Sequence, residues 1–248
     1  MYMKISIIIA CVDKHIPLLK QFLQTTTKFS VKPHEIMISL SPYYIKENPI
    51  KYLEDTKSEL EEKYNYVRCL VQTKQTHSSR NRNLCMKAAT GDIFVIHDAD
   101  DIMHWQCLEI INKVFEENPG CKMFLYNYLK TSERDYSLKQ FKDIDLKYTL
   151  ELKTDFKTTI KWRHPWGMPL FIKSYHKVKN FRRTSEANYY CNSFFAISKD
   201  VFQEVKYNED MFFGEDANFI RDIHEKYEST YYSPLILENY IESRSWKF

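Results

Sequence analysis

Glycine is scarce in this chain. It holds four in 248 residues, Gly91, Gly120, Gly167 and Gly214, where average usage of roughly 7% would supply about 17. No two lie closer than 29 residues. A dinucleotide fingerprint or a phosphate-binding P-loop needs glycines within one turn of each other, so both are excluded. Any nucleotide held here is held by side chains, a metal or helix ends. A C-x-x-C pair is also missing. The six cysteines (Cys11, Cys69, Cys85, Cys107, Cys121 and Cys191) are scattered, and Cys11 and Cys69 sit in apolar runs. Buried reduced thiols fit them better than a disulfide framework or a zinc site. No apolar run approaches the roughly 20 residues of a membrane span. Met1 to Val12 is too short and too β-branched for a signal peptide, and Asp13-Lys14 follow at once. A cytoplasmic protein with no transmembrane segment is expected. Charge is nearly balanced as well: 36 Lys+Arg against 33 Asp+Glu leaves +3. That balance makes no case for a nucleic-acid or membrane-surface partner.

What remains is an ordinary globular composition, 44% hydrophobic and 28% charged, which excludes disorder as the main state. The length suffices for a substantial core. Lys4 to Val12 reads as a buried strand, and His15 to Phe29 as a helix with its apolar stripe on Ile16, Leu19, Phe22 and Leu23. Strands are expected at Glu35 to Leu40, Tyr66 to Gln72 and Asp92 to His97. Helices are expected from Asn48-Pro49 to Tyr64, from Ser78 to Ala89 and from Met103 to Glu117. Gly91 stands where a left-handed helix stop is expected. This alternation predicts an α/β fold, a mostly parallel doubly wound sheet with flanking helices. The back of the chain is less regular. Lys122 to Tyr128, Pro169 to Ile172, Cys191 to Ile197 and Thr230 to Leu237 read as strands; Ser198 caps a short helix, and Glu215 to Tyr227 forms a longer one. With no low-complexity linker and no repeat, residues 1–248 read as a single domain.

In open α/β sheets ligands bind at the carboxyl ends of the strands. The fourth strand, G-D-I-F-V-I-H, delivers Asp98-Ala99-Asp100-Asp101 to that edge. Alternation puts Asp98 and Asp100 on one face and His97 and Ala99 on the other. Adjacent carboxylates repel unless a cation lies between them, and hard oxygen donors favour Mg²⁺ or Mn²⁺ over zinc. Capping of the next helix is the structural alternative for Asp100-Asp101. The chain carries a chance D-x-D as well, Asp143-Ile144-Asp145, in a charged segment that reads as a solvated face.

The stretch S-S-R-N-R-N-L-C-M-K-A-A-T-G-D-I-F-V-I-H-D-A-D-D, with Arg80-Asn81, Gly91-Asp92 and Asp98-Ala99-Asp100-Asp101 in order, resembles the family 2-like GT-A glycosyltransferases. A second stretch, N-E-D-M-F-F-G-E-D-A-N-F, is similar to the family's G-E-D-x-[DE]-F segment through Gly214-Glu215-Asp216 and Phe219. The resemblance implies a GT-A fold, with residues 1–120 as the nucleotide-sugar-binding half and an irregular acceptor half at 121–248. It implies a metal-dependent, inverting transfer from a nucleotide-sugar, a UDP-sugar by default, to a glycan, lipid or protein hydroxyl. Asp98 would touch the ribose and the metal, Asp100 would be the direct ligand of Mn²⁺ or Mg²⁺, and Arg80 would face the nucleotide. Asp216 would be the general base, at a helix start where a carboxylate is stabilised; Glu215 would bind acceptor or donor sugar. Simple helix capping is the other reading of Glu215-Asp216.

The chain departs from the family where the base is read. Ala10-Cys11-Val12-Asp13 replaces P-T-Y-N, and Ser39-Leu40-Ser41-Pro42 replaces D-D-G-S. Asp13, Ser39 and Ser41 remain as candidates to read the base. Asn83 replaces a glycine, and Asn218 a second acid. No histidine follows His224, so Asn239, Glu242 or water would complete a metal site. Trp162 to Gly167 suits a sugar platform or core, and Lys177 to Arg183 a phosphate lid or a solvated face. A D-x-D phosphohydrolase is disfavoured by Ile102 and by the motif's position on the fourth strand. A nucleotidyltransferase is disfavoured because no glycine precedes Gly91, and a non-enzymatic sugar-binding module because Asp98, Asp100 and Asp216 are intact.

Overall fold

The first strand explains the architecture. In β1 (Ile5–Val12) alternate side chains point to opposite faces of the sheet. Ile5, Ile7 and Ile9 join one buried cluster, with Leu19 and Phe22 from α1 (Ile16–Thr25), Leu53 and Leu60 from α2 (Pro49–Lys63), and Leu108 and Ile111 from α4 (Cys107–Glu117). Ile8 points the other way, into a second cluster with Cys85 and Met86 of α3 (Ser78–Ala88) and Phe219 and Ile223 of α6 (Glu215–Lys226). A strand buried on both faces reads as a continuous apolar run, which is why I-I-I carries no polar alternation. Each such isoleucine contributes about 1.5–3 kcal/mol by leaving water.

The computed structural model describes residues 3–45, 47–131, 141–144, 194–211, 214–227 and 229–241. Their eight strands form one sheet in the order β3-β2-β1-β4-β7-β6-β8-β5. Here β2 is Glu35–Ser41, β3 Val67–Val71, β4 Ile93–Asp98, β5 Ile102–Met103, β6 Met123–Thr131, β7 Phe195–Ser198 and β8 Thr230–Ile241. The front is parallel throughout: β1 pairs with β2 and β4, and β2 with β3. The back is mixed, with β7 antiparallel to both β4 and β6, and β8 parallel to β6. The β4–β7 ladder carries the sheet from the front half into the back half. Helix α5 (Val201–Glu204) follows β7 directly.

The expected front-half elements are present, and four expectations along the chain are corrected. Met103 does not begin a helix; Ile102-Met103 pairs with Asn239 and Glu238 as β5, and α4 starts at Cys107. Gly91 is not a left-handed stop, because Gly214 is the positive-φ glycine among the described residues. What Gly91 needs is space: a Cβ there would lie 2.3 Å from Ser6 Oγ and 2.8 Å from the Lys4 carbonyl. Ser198 does not cap α5; its hydroxyl donates to Asp200, the residue at the cap position. The late strand runs on to Ile241, past the expected end at Leu237. Cys11, Cys69, Cys85, Cys107 and Cys121 are free and buried, as the composition implied. The segments Trp162 to Gly167, Pro169 to Ile172 and Lys177 to Arg183, together with Cys191, Asp145 and Glu242, lie outside the described residues.

Candidate active site

The site is assembled on α3. Positions four apart on a helix line up, so Ser78 and Arg82 share one line and Ser79 and Asn83 the next. Both lines face the segment that leads into α6. Ser78 Oγ donates to Glu215 Oε1 at 2.7 Å, and Asn83 Nδ2 donates to the Tyr207 carbonyl at 2.9 Å. The Tyr207 N–H returns a bond to Asn83 Oδ1 at 3.1 Å, so Asn83 holds that backbone from both sides. Arg82 is central. Its side chain is 3% exposed; Nη2 reaches Asp98 Oδ1 at 2.7 Å, and Nη1 reaches Asp216 Oδ1 at 2.8 Å and Glu215 Oε1 at 3.3 Å. Its guanidinium carbon also lies 5.3 Å from the centre of the Tyr207 ring, a cation–π distance.

Gly214 turns the chain into α6 at φ 72°, a conformation that a side chain would strain. Glu215 and Asp216 therefore occupy the first helical turn, where the helix dipole favours negative charge. Asp216 is buried, and Tyr207 donates its phenolic hydrogen to Asp216 Oδ1 at 2.9 Å. The Tyr207 ring is itself fixed by stacking on Phe219, centroid to centroid 4.1 Å. Burial pushes the Asp216 carboxyl up to about 7; Arg82 and the Tyr207 hydroxyl pull it down, while Glu215 and Asp98 add to the rise. Burial works against the Arg82 cation, but the surrounding acids, Asp216 foremost, hold it firmly protonated. One permanent cation thus meets three carboxylates, and the local balance stays negative.

Asp98 ends β4, and the chain turns at Ala99-Asp100. Burial raises the Asp100 carboxyl; His15 opposes the rise and Asp98 adds to it. On the other face His97 is fully buried against the Phe22 ring, 4.1 Å between centroids, and its Nδ1 lies 3.3 Å from Glu238 Oε1. That pair is close but not aligned as a hydrogen bond. Burial lowers His97 to about 4, so it is neutral at pH 7. Asp101 does not cap a helix: its Oδ1 accepts the Ile241 N–H at 2.9 Å. Together with the β5–β8 pairs, this contact braces the carboxylate turn from behind.

The structure brings Asp98, Glu215 and Asp216 together across Arg82. Arg80 points outward, 62% exposed and 3.9 Å from Glu209, and the cation among the three carboxylates is Arg82. The sequence holds Arg-Asn twice, two residues apart. Helical spacing would have separated them, because position 82 falls in line with the buried Ser79 and Met86. Ser39 is sealed from solvent, donating to Asn81 Oδ1 at 2.9 Å and accepting from Gln72 Nε2 at 3.1 Å. Asp13 is likewise buried, and its two oxygens accept backbone N–H groups of Lys14, Tyr43, Tyr44 and Ile45. Tyr207 is a further member that sequence reasoning missed, since no motif marks it. Among the described residues no three His, Cys, Asp or Glu side chains converge as a metal cage. Asn239 is buried in β8 opposite Ile102. Asp143, in the chance D-x-D, is exposed.

Comparison with known proteins bears on the fold and the family. No curated protein matches the chain. Among solved structures it is similar to TarS of S. aureus: residues 1–349 of TarS superpose with a TM-score of 0.61 at 11% identity, covering 96% of this chain and 60% of that one. The same fragment with UDP gives 0.62 at 12%, covering 97% and 61%. With UDP-GlcNAc it gives 0.64 at 12%, covering 98% and 59%. This chain thus spans about three fifths of that fragment, and the likeness is one of fold, the GT-A type. The sequence itself matches Glycosyl transferase family 2 over residues 6–206. Because that match covers most of the chain, the protein belongs to glycosyl transferase family 2.

Proposed function

We propose that this protein is a metal-dependent, inverting glycosyltransferase that moves a sugar from a nucleotide-sugar, by default a UDP-sugar, to a hydroxyl of a glycan, lipid or protein. The observation that carries the proposal is the pairing of two carboxylates through Arg82. Asp98 stands at the strand edge where ligands bind in open sheets, and Asp216 at a buried helix start with its carboxyl near 7. A base is most effective when its pKa lies near the working pH, and burial gives Asp216 that value. TarS, solved with UDP and with UDP-GlcNAc, has the same fold, which supports the donor class.

In this mechanism Asp216 takes the proton of the acceptor hydroxyl as that oxygen bonds to the anomeric carbon. The bond from that carbon to the diphosphate oxygen breaks on the opposite side, and its electron pair leaves with the nucleoside diphosphate. A single displacement of this kind inverts the anomeric centre. Glu215, tied to Ser78 and Arg82, borders the base and would orient the sugar. Arg82 keeps the Asp216 carboxylate in place and places a fixed cation beside Asp98.

Mg²⁺ or Mn²⁺ fits the donors present. Asp98 and Asp100 offer hard oxygens, Asp100 gains from a cation that relieves its burial beside Asp98, and the local balance is negative. Bound there, the ion would supply positive charge to the departing diphosphate. Residues 1–120 would hold the donor and 121–248 the acceptor. The five free buried thiols agree with a reducing, cytoplasmic setting, and no described helix is long and apolar enough to cross a membrane.

A panel of nucleotide-sugars with Mn²⁺, scored by thermal shift and by released nucleoside diphosphate, tests the proposal. A genuine donor at 100 times its dissociation constant stabilises the fold by about 2.7 kcal/mol. Absence of both stabilisation and release across the panel would refute it.

A further inference from the structure

We propose that a cavity between the last turns of α1 and α2 binds an uncharged glycan chain, apart from the carboxylate site; this rests on the function proposed above, with a glycan as the acceptor. The cavity measures about 510 Å³, within the roughly 300–1,000 Å³ of ligand sites. Gln24 of α1, Glu62 and Lys63 of α2, and Tyr64, Asn65 and Tyr66 of the turn that follows all line it. It stands away from the proposed chemistry. Tyr66 precedes β3 at the amino ends of the parallel strands, whereas Asp98 closes β4 at their carboxyl ends, three places along the sheet.

Tyr64 and Tyr66 supply the apolar wall. Their ring centroids lie 5.9 Å apart with the planes tilted by 50°, so the two rings form a corner. Both are anchored by the fold. Tyr64 is 7% exposed and belongs to the core; the Tyr66 hydroxyl lies 2.9 Å from Thr26 Oγ1, and its carbonyl accepts the Ile36 N–H at 2.7 Å. The corner is thus set before any ligand arrives, which lowers the ordering cost of binding. Aromatic surface of this kind takes the apolar face of a sugar ring.

The polar rim selects against ions. Gln24, Glu62 and Asn65 are exposed, and among the described residues no hydrogen bond or ion pair engages their side chains. The two amides each offer donors and an acceptor, which is what a hydroxyl group needs. Glu62 and Lys63 cancel in charge. Helices α1 and α2 both end here, and the negative ends of their dipoles disfavour an anion. The cation that such carbonyl ends attract is already supplied by Lys32, whose Nζ donates to the Thr26 and Thr27 carbonyls. A neutral ligand rich in hydroxyls remains. A glycan chain held there would stay on the enzyme between transfers, at an effective concentration set by the length linking it to the carboxylate site.

The test is a printed array of neutral and uronate-containing oligosaccharides, followed by calorimetric titration of the full chain with the neutral one it holds most tightly. Replacing Gln24 and Asn65 together by Ala removes two hydrogen-bonding side chains and should weaken that oligosaccharide by about 5- to 150-fold. UDP binding with Mn²⁺ and the thermal midpoint should stay at parent values. Unchanged glycan affinity in the double variant overturns the inference, because the chain is then held elsewhere. Equal loss of UDP binding also overturns it, since the effect would then lie in the fold. So does an array on which no neutral oligosaccharide is retained, or on which uronates are preferred. A parent protein that binds the glycan through Gln24 and Asn65, yet releases no nucleoside diphosphate from any nucleotide-sugar, supports the glycan site and defeats the proposed function instead.

Discussion

Asp98 and Asp216 come from elements more than a hundred residues apart, yet they share one guanidinium. Arg82 donates to Asp98 from one terminal nitrogen at 2.7 Å and to Asp216 from the other at 2.8 Å. Asp98 and the proposed base are therefore fixed relative to each other before any ligand binds. Pre-organisation of this kind spares the reaction the cost of orienting its groups.

The same sharing makes Arg82 a large contributor to stability. Removing it leaves Asp98, Glu215 and Asp216 around a buried position with no counter-charge, a change that typically costs about 3–5 kcal/mol. Arg82→Met should lower the urea midpoint accordingly, and adding Asp216→Asn should recover part of the loss. By contrast Arg80→Ala, on the exposed face, should stay within about 0.5 kcal/mol of the parent. Equal effects at the two arginines would show that the buried cluster carries no special weight.

The pH dependence of transfer should follow Asp216. The base works only when ionised, so activity should rise with pH through about 7. Arg82, Glu215, Asp98 and Tyr207 face that carboxyl, and Tyr207 favours its ionised form by hydrogen bonding. Tyr207→Phe should therefore move the limb to higher pH. Stability runs the opposite way. The folded state raises this carboxyl above its unfolded value, so its favourable contribution is complete below about pH 4 and is lost as pH climbs through about 7. Urea unfolding at about pH 5 and about pH 8 should show a larger loss in the parent than in Asp216→Asn. Identical slopes would mean that Asp216 is not raised.

Metal dependence should reside at Asp100. Asp100→Ala should abolish the Mn²⁺-dependent part of UDP binding while the thermal midpoint holds. Asp143→Ala, exposed in the chance motif, should alter neither quantity. Unchanged metal dependence in Asp100→Ala would remove it from the site.

Much of this was legible in the sequence because local pattern and tertiary environment agree there. The run I-I-I in β1, the stripe of Leu19, Phe22 and Leu23, and the turn at Gly214 each specify what they become. The failures occurred where distant contacts decide. Met103 fits a helix start locally, but Glu238 and Asn239 recruit Ile102-Met103 into the sheet. Gly91 looks like a helix stop, yet its need for glycine comes from Ser6, 85 residues away. Arg80 and Arg82 are equivalent as letters, and the burial of Ser79 and Met86 tells them apart. Tyr207 carries no motif at all, since its role depends on Asn83 holding its backbone and Phe219 its ring.

The most direct test of the account is the Asp216→Asn variant, with donor affinity and transfer rate measured on the same preparation. Asn is nearly isosteric and its Oδ1 can still accept from Arg82 and Tyr207, but it takes no proton at neutral pH. Loss of a general base costs about 10²- to 10⁴-fold in rate, some 3–5 kcal/mol at 1.36 kcal/mol per tenfold. UDP-sugar affinity should stay near the parent value while transfer falls by that factor. Normal donor binding with transfer above about a tenth of the parent rate would contradict the assignment of Asp216 as the base.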